Sequence, residues 1–244
     1  MPREPDRKRP CPCGSGRSYF ACCRPKERAR AEAAEAARAA CRRVDGALDA
    51  LLPVVQESYA IACGPGCNAC CPSFIRTLPA EAAAIAEWLA DDAHAPVRER
   101  FLSRLPEWRA RVGDEVGVID RIAAAHGGAP RPDDDDAPTY AEAMGAYFAR
   151  DAMCPFNDER GWCSIYEVRP LPCRVTLVVD SAEFCKRGAP HGPKVVRPRS
   201  LQDAIQAARA GIARAPRPDG ATSERVLPEA VAEALARRGF PTGG

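Results

Sequence analysis

Apolar residues recur along most of the chain at intervals of three and four, the spacing that places them on one face of an α-helix. The clearest run covers residues 26–59, where a half rich in alanine, arginine and glutamate leads into a regular apolar stripe. Pro53 falls inside this run, so we expect it to kink or divide the helix. Cys41 lies on the apolar stripe, and we interpret it as a buried and unreactive thiol.

The same periodicity predicts further helices in the rest of the chain. They are expected at 79–89 after a short extended segment, and then at 97–112, 114–125, 140–153, 201–214 and 228–238. Residues 162–166 and 175–179 have β character instead. The tract 127–138 holds four consecutive aspartates and is interpreted as a surface loop. The sequence therefore predicts a mainly α fold with short β segments.

Composition agrees with a helical core built from small and aliphatic side chains, since only 6% of the residues are aromatic. The formal net charge of +2 argues against a protein that binds polyanions over its whole surface. The first residues contain no apolar stretch of a signal peptide, and no run approaches the roughly 18 apolar residues of a membrane span. We therefore expect a cytoplasmic protein that does not bind membranes.

Thirteen cysteines carry the candidate chemistry. In a reducing compartment they are expected to be metal ligands and not a disulfide framework. They form three groups of four, with Cys41 left over. The groups are Cys11, Cys13, Cys22 and Cys23; then Cys63, Cys67, Cys70 and Cys71; and finally Cys154, Cys163, Cys173 and Cys185.

The first group has the spacing C-x-C-x8-C-C, with a Gly-Ser-Gly turn between its two pairs. A tight turn brings the pairs together, and four thiolates at about 2.3 Å satisfy a tetrahedral Zn²⁺ ion. This array resembles the SEC-C motif, a small zinc-binding module of the SecA translocation ATPase and many other bacterial proteins. Arg17 and Tyr19 match its basic and aromatic positions. The resemblance implies a zinc knob that docks on a partner.

Charge adds to the expectation of a partner at this end of the chain. Residues 1–30 carry nine lysines and arginines against three acidic residues. We expect a protein partner to bind through this basic region. Nucleic acid and a merely solvated basic tail are the alternatives.

The second group lies in an open loop, because Gly64, Pro65 and Gly66 separate its first two cysteines. The third group includes the segment Cys-x-Ile-Tyr-x-x-Arg-Pro-x-x-Cys-Arg at residues 163–174. Together these stretches resemble the YkgJ family of zinc- or iron-chelating cysteine-cluster domains. The resemblance covers residues 61–191, and it implies a metal site more directly than a reaction.

Eight thiols can bind two zinc ions, one ion with some ligands idle, or an iron–sulfur cluster, and their spacing leaves this open. Arg76, Arg169 and Arg174 are cations that would balance the negative charge of thiolate ligands. A clamp of Arg169 and Arg174 for a carboxylate or phosphate is the alternative, and His191 is a candidate substitute ligand. We expect both cysteine groups to share one site and to close the 82 residues between them.

The chain is predicted to have four parts: a SEC-C-like zinc motif at 1–25, a helical linker at 26–60, the cysteine-cluster domain at 61–191, and C-terminal helices at 192–244. We recognise no P-loop, Rossmann or metalloprotease signature. The first functional hypothesis is a metal-binding adaptor. The alternatives are an enzyme, since some YkgJ-like sequences are associated with protein lysine N-methylation, including a flagellin lysine methylase, and an iron–sulfur redox or metal-delivery protein. Whether the protein is a catalyst stays open.

Overall fold

The structure is a computed structural model that describes residues 10–11, 13–126, 140–186, 188–216 and 224–243, without the side chains of 123–126 and 140. This part of the chain is mainly helical, as predicted, and the acidic tract 127–138 lies outside it. The helices are α1 (Cys23–Gln56), α2 (Pro79–Ala90), α3 (Ala95–Val112), α4 (Glu115–His126), α5 (Tyr140–Ala149), α6 (Leu171–Arg174), α7 (Arg199–Ala213) and α8 (Leu227–Ala236).

The 34-residue helix α1 supports one side of the molecule. Its buried residues recur at three- and four-residue intervals, as the apolar stripe predicted, and include Ala33, Ala37, Val44 and Leu48. Pro53 lies within the last turn, and the helix continues past it to Gln56. The expected division of the helix is therefore wrong, because a proline so near the end removes only one hydrogen bond from the ladder.

Two apolar cores meet at α2. Ile85 and Leu89 face a larger core formed with α3, α4, α5 and α8, whereas Ala80 and Ala84 face a second core formed with α1 and α7. The segment that carries the third cysteine group enters the larger core through Phe156, whose ring stacks on Phe101 at a centroid distance of 4.2 Å. This packing fixes the position of the cysteines on either side of Phe156.

A two-stranded antiparallel sheet joins distant parts of the chain. Strand β1 (Arg76–Thr77) is the extended entry to α2 that the sequence predicted, and it pairs with β2 (Arg225–Val226). The β segment predicted at 175–179 is, among the described residues, a single bridge between Val178 and Val195. Two hydrogen bonds, Val179 N to Lys194 O and Val196 N to Leu177 O, flank this bridge, and the Val178 carbonyl accepts another from Ala62 N at 2.8 Å.

The segment predicted as extended at 162–166 also differs from expectation. Cys163 forms one isolated bridge with Asn157, and the chain then turns into a 3₁₀ helix at Tyr166–Val168. The helix α5 ends at Ala149, four residues before its predicted end. No described helix combines the length and the apolar character that a membrane crossing requires.

Candidate metal centres

The four N-terminal cysteines gather into one compact group. Their sulfur atoms all lie within 4.8 Å of one another. The Sγ atom of Cys13 is 3.2 Å from that of Cys11 and 3.5 Å from that of Cys22. A tetrahedral zinc ion with Zn–S bonds of about 2.3 Å holds its sulfurs roughly 3.8 Å apart. The donor set therefore fits a single zinc ion.

A short glycine-containing loop builds this group. Gly14 and Gly16 have φ of 74° and 71°, which only glycine adopts without strain. The Cys11 amide donates to the Arg17 carbonyl at 2.9 Å, so the loop closes on itself. Cys23 is the first residue of α1, so the group is joined directly to this helix.

The thiols of the N-terminal group differ in their pKa values. Hydrogen bonds from Ser15 and then Cys11 lower the pKa of Cys13 to about 6. Hydrogen bonds to Cys11 and Cys13 raise the pKa of Cys23 to about 12. Zinc would displace the remaining protons, because it binds thiolates and not thiols.

The first central loop, residues 63–71, is anchored to the chain beyond α6. The amide of Val178 donates a hydrogen bond to the Sγ atom of Cys63 at 3.3 Å. Two tight turns then position the other cysteines, since Cys67 N donates to Gly64 O at 3.0 Å and Cys71 N to Asn68 O at 2.9 Å. The predicted turn residues therefore hold this loop in place.

The third cysteine group is spread over several small elements. Cys154 and Cys163 flank a turn, Cys173 lies in α6, and Cys185 ends a 3₁₀ helix at Ala182–Cys185. Asp158 organises the turn, because its Oδ1 atom accepts hydrogen bonds from Arg160 N at 2.9 Å and Trp162 N at 2.8 Å. The backbone of the turn is thus fixed independently of any metal.

The two central groups lie in one neighbourhood around Cys70. Burial raises the pKa of Cys154 to about 12, and the charges of Cys163 and Cys70 add to the effect. Burial likewise raises the pKa of Cys185 to about 11, with contributions from Cys70, Cys63 and Cys67. The charges of thiols in one group therefore influence the thiols of the other. In the described part of the chain, however, no three of these eight sulfurs gather as tightly as the N-terminal four.

Comparison with known protein families assigns this region. Residues 62–189, just over half of the chain, match the model of the family CxxCxxCC, described as "Putative zinc- or iron-chelating domain". The chain belongs to this family. Comparisons with curated proteins and with solved structures find no match. The matched region contains all eight central cysteines. In the family pattern two residues separate the first two cysteines, whereas three residues separate Cys63 from Cys67 in this chain.

Arg169 is the cation of the CxxCxxCC domain whose charge acts on the thiols of both groups. Burial raises the pKa of Cys63 and Cys163, and the charge of Arg169 acts in the opposite direction. The pKa of Cys70 is lowered to about 6, chiefly by the hydrogen bond with Cys71, and Arg169 contributes to this lowering. Its guanidinium carbon lies 3.8 Å from the centre of the Tyr166 ring. This stack holds the guanidinium against the ring of Tyr166.

The other two arginines expected at the thiols serve different partners. Arg174 donates to Asp45 Oδ1 on α1 at 2.7 Å and to the carbonyls of Arg169 and Glu167 at 2.6 Å. Arg76 forms an ion pair with Glu224 at 3.1 Å. The proposed pairing of Arg169 with Arg174 as an anion clamp is therefore not supported, because the Arg174 guanidinium is occupied by protein groups.

Two further residues singled out in the sequence, His191 and Cys41, have other protein groups as their neighbours. His191 contacts the Gly192 carbonyl through Nδ1 at 2.8 Å, and its ring packs on Phe184 at 4.0 Å. Cys41 packs against the second core, and its pKa is raised to about 11, chiefly by burial. Burial thus disfavours the reactive thiolate of Cys41, as the sequence predicted.

Glu81 positions the helix that carries Cys173, a role that the sequence did not reveal. It is almost fully buried, and burial raises its pKa. Its Oε1 atom accepts a hydrogen bond from Leu171 N at 2.7 Å, while Oε2 accepts from Leu78 N at 2.9 Å. The acidic first turn of α2 was the only signal, and it cannot reveal a partner 90 residues away.

Proposed function

We propose that this protein is a metal-binding adaptor with two centres: an N-terminal zinc module that docks on a protein partner, and a CxxCxxCC domain that holds more than one metal atom. The observation that carries the proposal is the N-terminal group, whose four sulfurs all lie within 4.8 Å of one another. A preformed tetrathiolate at the head of a long helix is a structural zinc site, since all four positions of the ion are taken by protein.

The surface of the N-terminal module supports the docking role. Arg17 and Arg24 are exposed, and the Arg24 guanidinium lies 4.1 Å from the centre of the Phe20 ring. A basic and aromatic surface of this kind favours an acidic protein segment over an apolar one. The partner is therefore expected to carry clustered aspartates or glutamates.

The central domain has more thiols than one ion accepts. A tetrahedral ion takes four ligands, whereas the domain contains eight cysteines, and charges in one group influence thiols of the other, so we infer at least two metal atoms shared by both groups. The central sulfurs are more widely spaced than the N-terminal four, which favours an iron–sulfur cluster as a second candidate. In such a cluster each cysteine binds a different iron, so the sulfurs lie further apart than around one zinc ion. Zinc would supply cross-links for the fold, and an iron–sulfur cluster would supply electron transfer.

Metal analysis of the full-length protein, purified without oxygen, tests this proposal. We expect one zinc atom that is lost in Cys22→Ser, together with at least two central metal atoms that remain in that variant. A brown colour would assign iron–sulfur chemistry to the centre, and a colourless protein would assign zinc. A zinc content unchanged by Cys22→Ser, or a single metal atom in the whole protein, would contradict the proposal.

The docking role has its own test. Full-length protein and a version that lacks residues 1–25 are compared in pull-down experiments with an immobilised acidic peptide. We expect retention of the full-length protein only, with equal central metal content in the two proteins. Equal retention would show that the N-terminal module is not the docking surface.

A further inference from the structure

A cavity of about 340 Å³ opens between α1, α2, α7 and α8, and the cysteine groups do not line it. Its walls are largely apolar and include Leu78, Pro79, Ala83 and Ile212. Pockets that bind small molecules are typically of this size and have this composition. The alanines of four helices create the space, because larger side chains at these positions would fill it.

Positive charge dominates the polar lining. Five arginines line the cavity, against two carboxylates, Glu224 and Glu233; the arginines are Arg30, Arg209, Arg225, Arg237 and Arg238. Each of the two carboxylates pairs with two cations, and two acidic residues outside the lining, Asp120 and Glu87, pair with Arg225 and Arg238. Glu224 lies 3.5 Å from Arg209 and 3.1 Å from Arg76, while Glu233 pairs with both Arg225 and Arg237.

We propose that this cavity binds a small anionic amphiphile, a molecule with an apolar body and a carboxylate or phosphate group at one end. The apolar walls would take the body, and burying it stabilises the complex in proportion to the area removed from water. A guanidinium such as that of Arg209, which is half exposed and loosely paired, would bind the anionic end with two parallel hydrogen bonds.

The location separates this site from metal chelation. Helices α7 and α8 and residues Glu224 and Arg225 lie outside the region that matches the CxxCxxCC family. Arg30 and Ala33, by contrast, lie on α1 within three turns of Cys23, the last N-terminal ligand. The cavity therefore combines the C-terminal helices with the helix that carries the zinc module.

Four eight-carbon probes test the proposal by calorimetric titration of the full-length, metal-loaded protein: octanoate, octyl phosphate, octylamine and octanol. We expect at least one of the two anions to bind with a stoichiometry of one, and the amine and the alcohol to bind more weakly by about tenfold or more, because they lack the charge-assisted bond. The two anions distinguish a carboxylate from a phosphate ligand.

Two variants locate the binding site. Ala83→Leu fills the cavity and Arg209→Gln removes a cation, and each should weaken anion binding by about tenfold. Ala39→Leu on the exposed side of α1 and Arg199→Gln at the start of α7 are the matched controls and should not change it. If Ala83→Leu proves unstable, Arg209→Gln and the probe series decide. Absence of binding by both anions, equal binding of octylamine, or binding unaffected by Arg209→Gln would overturn the proposal.

Discussion

Gly161 lies against the side chain of Asn68, so closely that a methyl group on Gly161 would overlap the amide nitrogen. A second contact of the same kind lies beside it, since a methyl group on Gly66 would come within 3.0 Å of Trp162 Nε1. Gly66 and Asn68 belong to the first central cysteine loop, and Gly161 and Trp162 belong to the turn between Cys154 and Cys163. The two cysteine segments therefore interlock, and each leaves a glycine where the other approaches.

The Gly161→Ala variant should weaken the central centre. Its φ of 79° is unfavourable for alanine and the added methyl group would displace Asn68, so we expect a loss of about 1–3 kcal/mol in the free energy of unfolding. Central metal content should fall as well, while any metal bound by the N-terminal group should be retained. Thermal denaturation and metal analysis measure both effects.

Gly188→Ala is the matched control for this prediction. Gly188 has the same φ of 79°, but a methyl group there would meet no atom within 4 Å. The Gly188→Ala variant should therefore lose stability through backbone strain alone and keep its central metal. Equal loss of metal in the two variants would mean that the contact with Asn68 is unimportant.

A metal centre shared by both central groups predicts coupled losses. Cys67→Ser and Cys163→Ser should each lower central metal content and thermal stability together, because one removed ligand weakens the same centre. The double variant should lose much less than the sum of the single losses. Cys41→Ser, which changes a thiol on α1 outside the centre, should leave the metal unchanged. Additive losses, with each single variant keeping the metal of the other group, would refute a shared centre.

Helical periodicity predicted most of the helices, because an amphipathic face is a local signal that extends over several turns. It predicted α3 and α7 to within two residues of their ends. Strand β2 was missed, since two residues at Arg225–Val226 carry no period and the partner strand lies far away in the chain. The segment at 175–179 was given too much β structure because its valines satisfy strand propensity, whereas the Val178 amide and carbonyl bind Cys63 and Ala62.

For the site, the sequence supplied candidate ligands but not their surroundings. All twelve candidate cysteines follow from residue type and spacing, and the turn chemistry at Gly64–Gly66 is local. Arg76, Arg169 and Arg174 are indistinguishable in the sequence, however, because their roles depend on acidic partners elsewhere in the chain. Arg174 forms an ion pair with Asp45 on α1, and Arg76 forms one with Glu224 next to β2. Only tertiary structure shows that the charge of Arg169 acts on thiols of both groups.

Arg169→Gln should reduce metal retention in the central centre. The positive charge of Arg169 acts on thiols from both cysteine groups, and removing it leaves the negative thiolates without that compensation. We expect roughly a tenfold loss of metal affinity in competition with a chelator, which corresponds to about 1.4 kcal/mol. Arg169→Lys should restore part of the affinity, since lysine keeps the charge but not the planar stack on Tyr166.

Arg160→Gln is the control for this charge effect. Arg160 lies on the turn between Cys154 and Cys163 and stacks on Trp162 at 4.8 Å, but its ion pair is with Asp158. It should therefore leave chelator competition unchanged. A similar loss in Arg160→Gln and Arg169→Gln would indicate a general effect of surface charge and not a specific action of Arg169 on the centre.

Glu115 gives a pH-dependent contribution to stability that is independent of the metal centres. Burial alone would raise the pKa of this carboxyl, but hydrogen bonds from Arg150, one of them from Nε at 3.0 Å, lower it below the ordinary value of 4.5. A lowered pKa in the folded state means that the carboxylate stabilises the protein above pH 4.5. This stabilisation is lost as the pH falls through the lower pKa of the folded state.

The Glu115→Gln variant should reveal this contribution by its pH dependence. At pH 7 it should be less stable than the wild type by an amount of the order of 1 kcal/mol, kept small because Arg150 is half exposed and solvent screens the pair. As the pH is lowered below 4.5, the difference in the free energy of unfolding between the two proteins should shrink toward zero, because the wild-type carboxyl then becomes neutral as well. Urea denaturation of both proteins at several pH values, all in the presence of chelator, measures this difference without interference from metal loss. A difference that stays constant between pH 7 and pH 3 would show that the charge of Glu115 contributes nothing and that the amide merely packs less well.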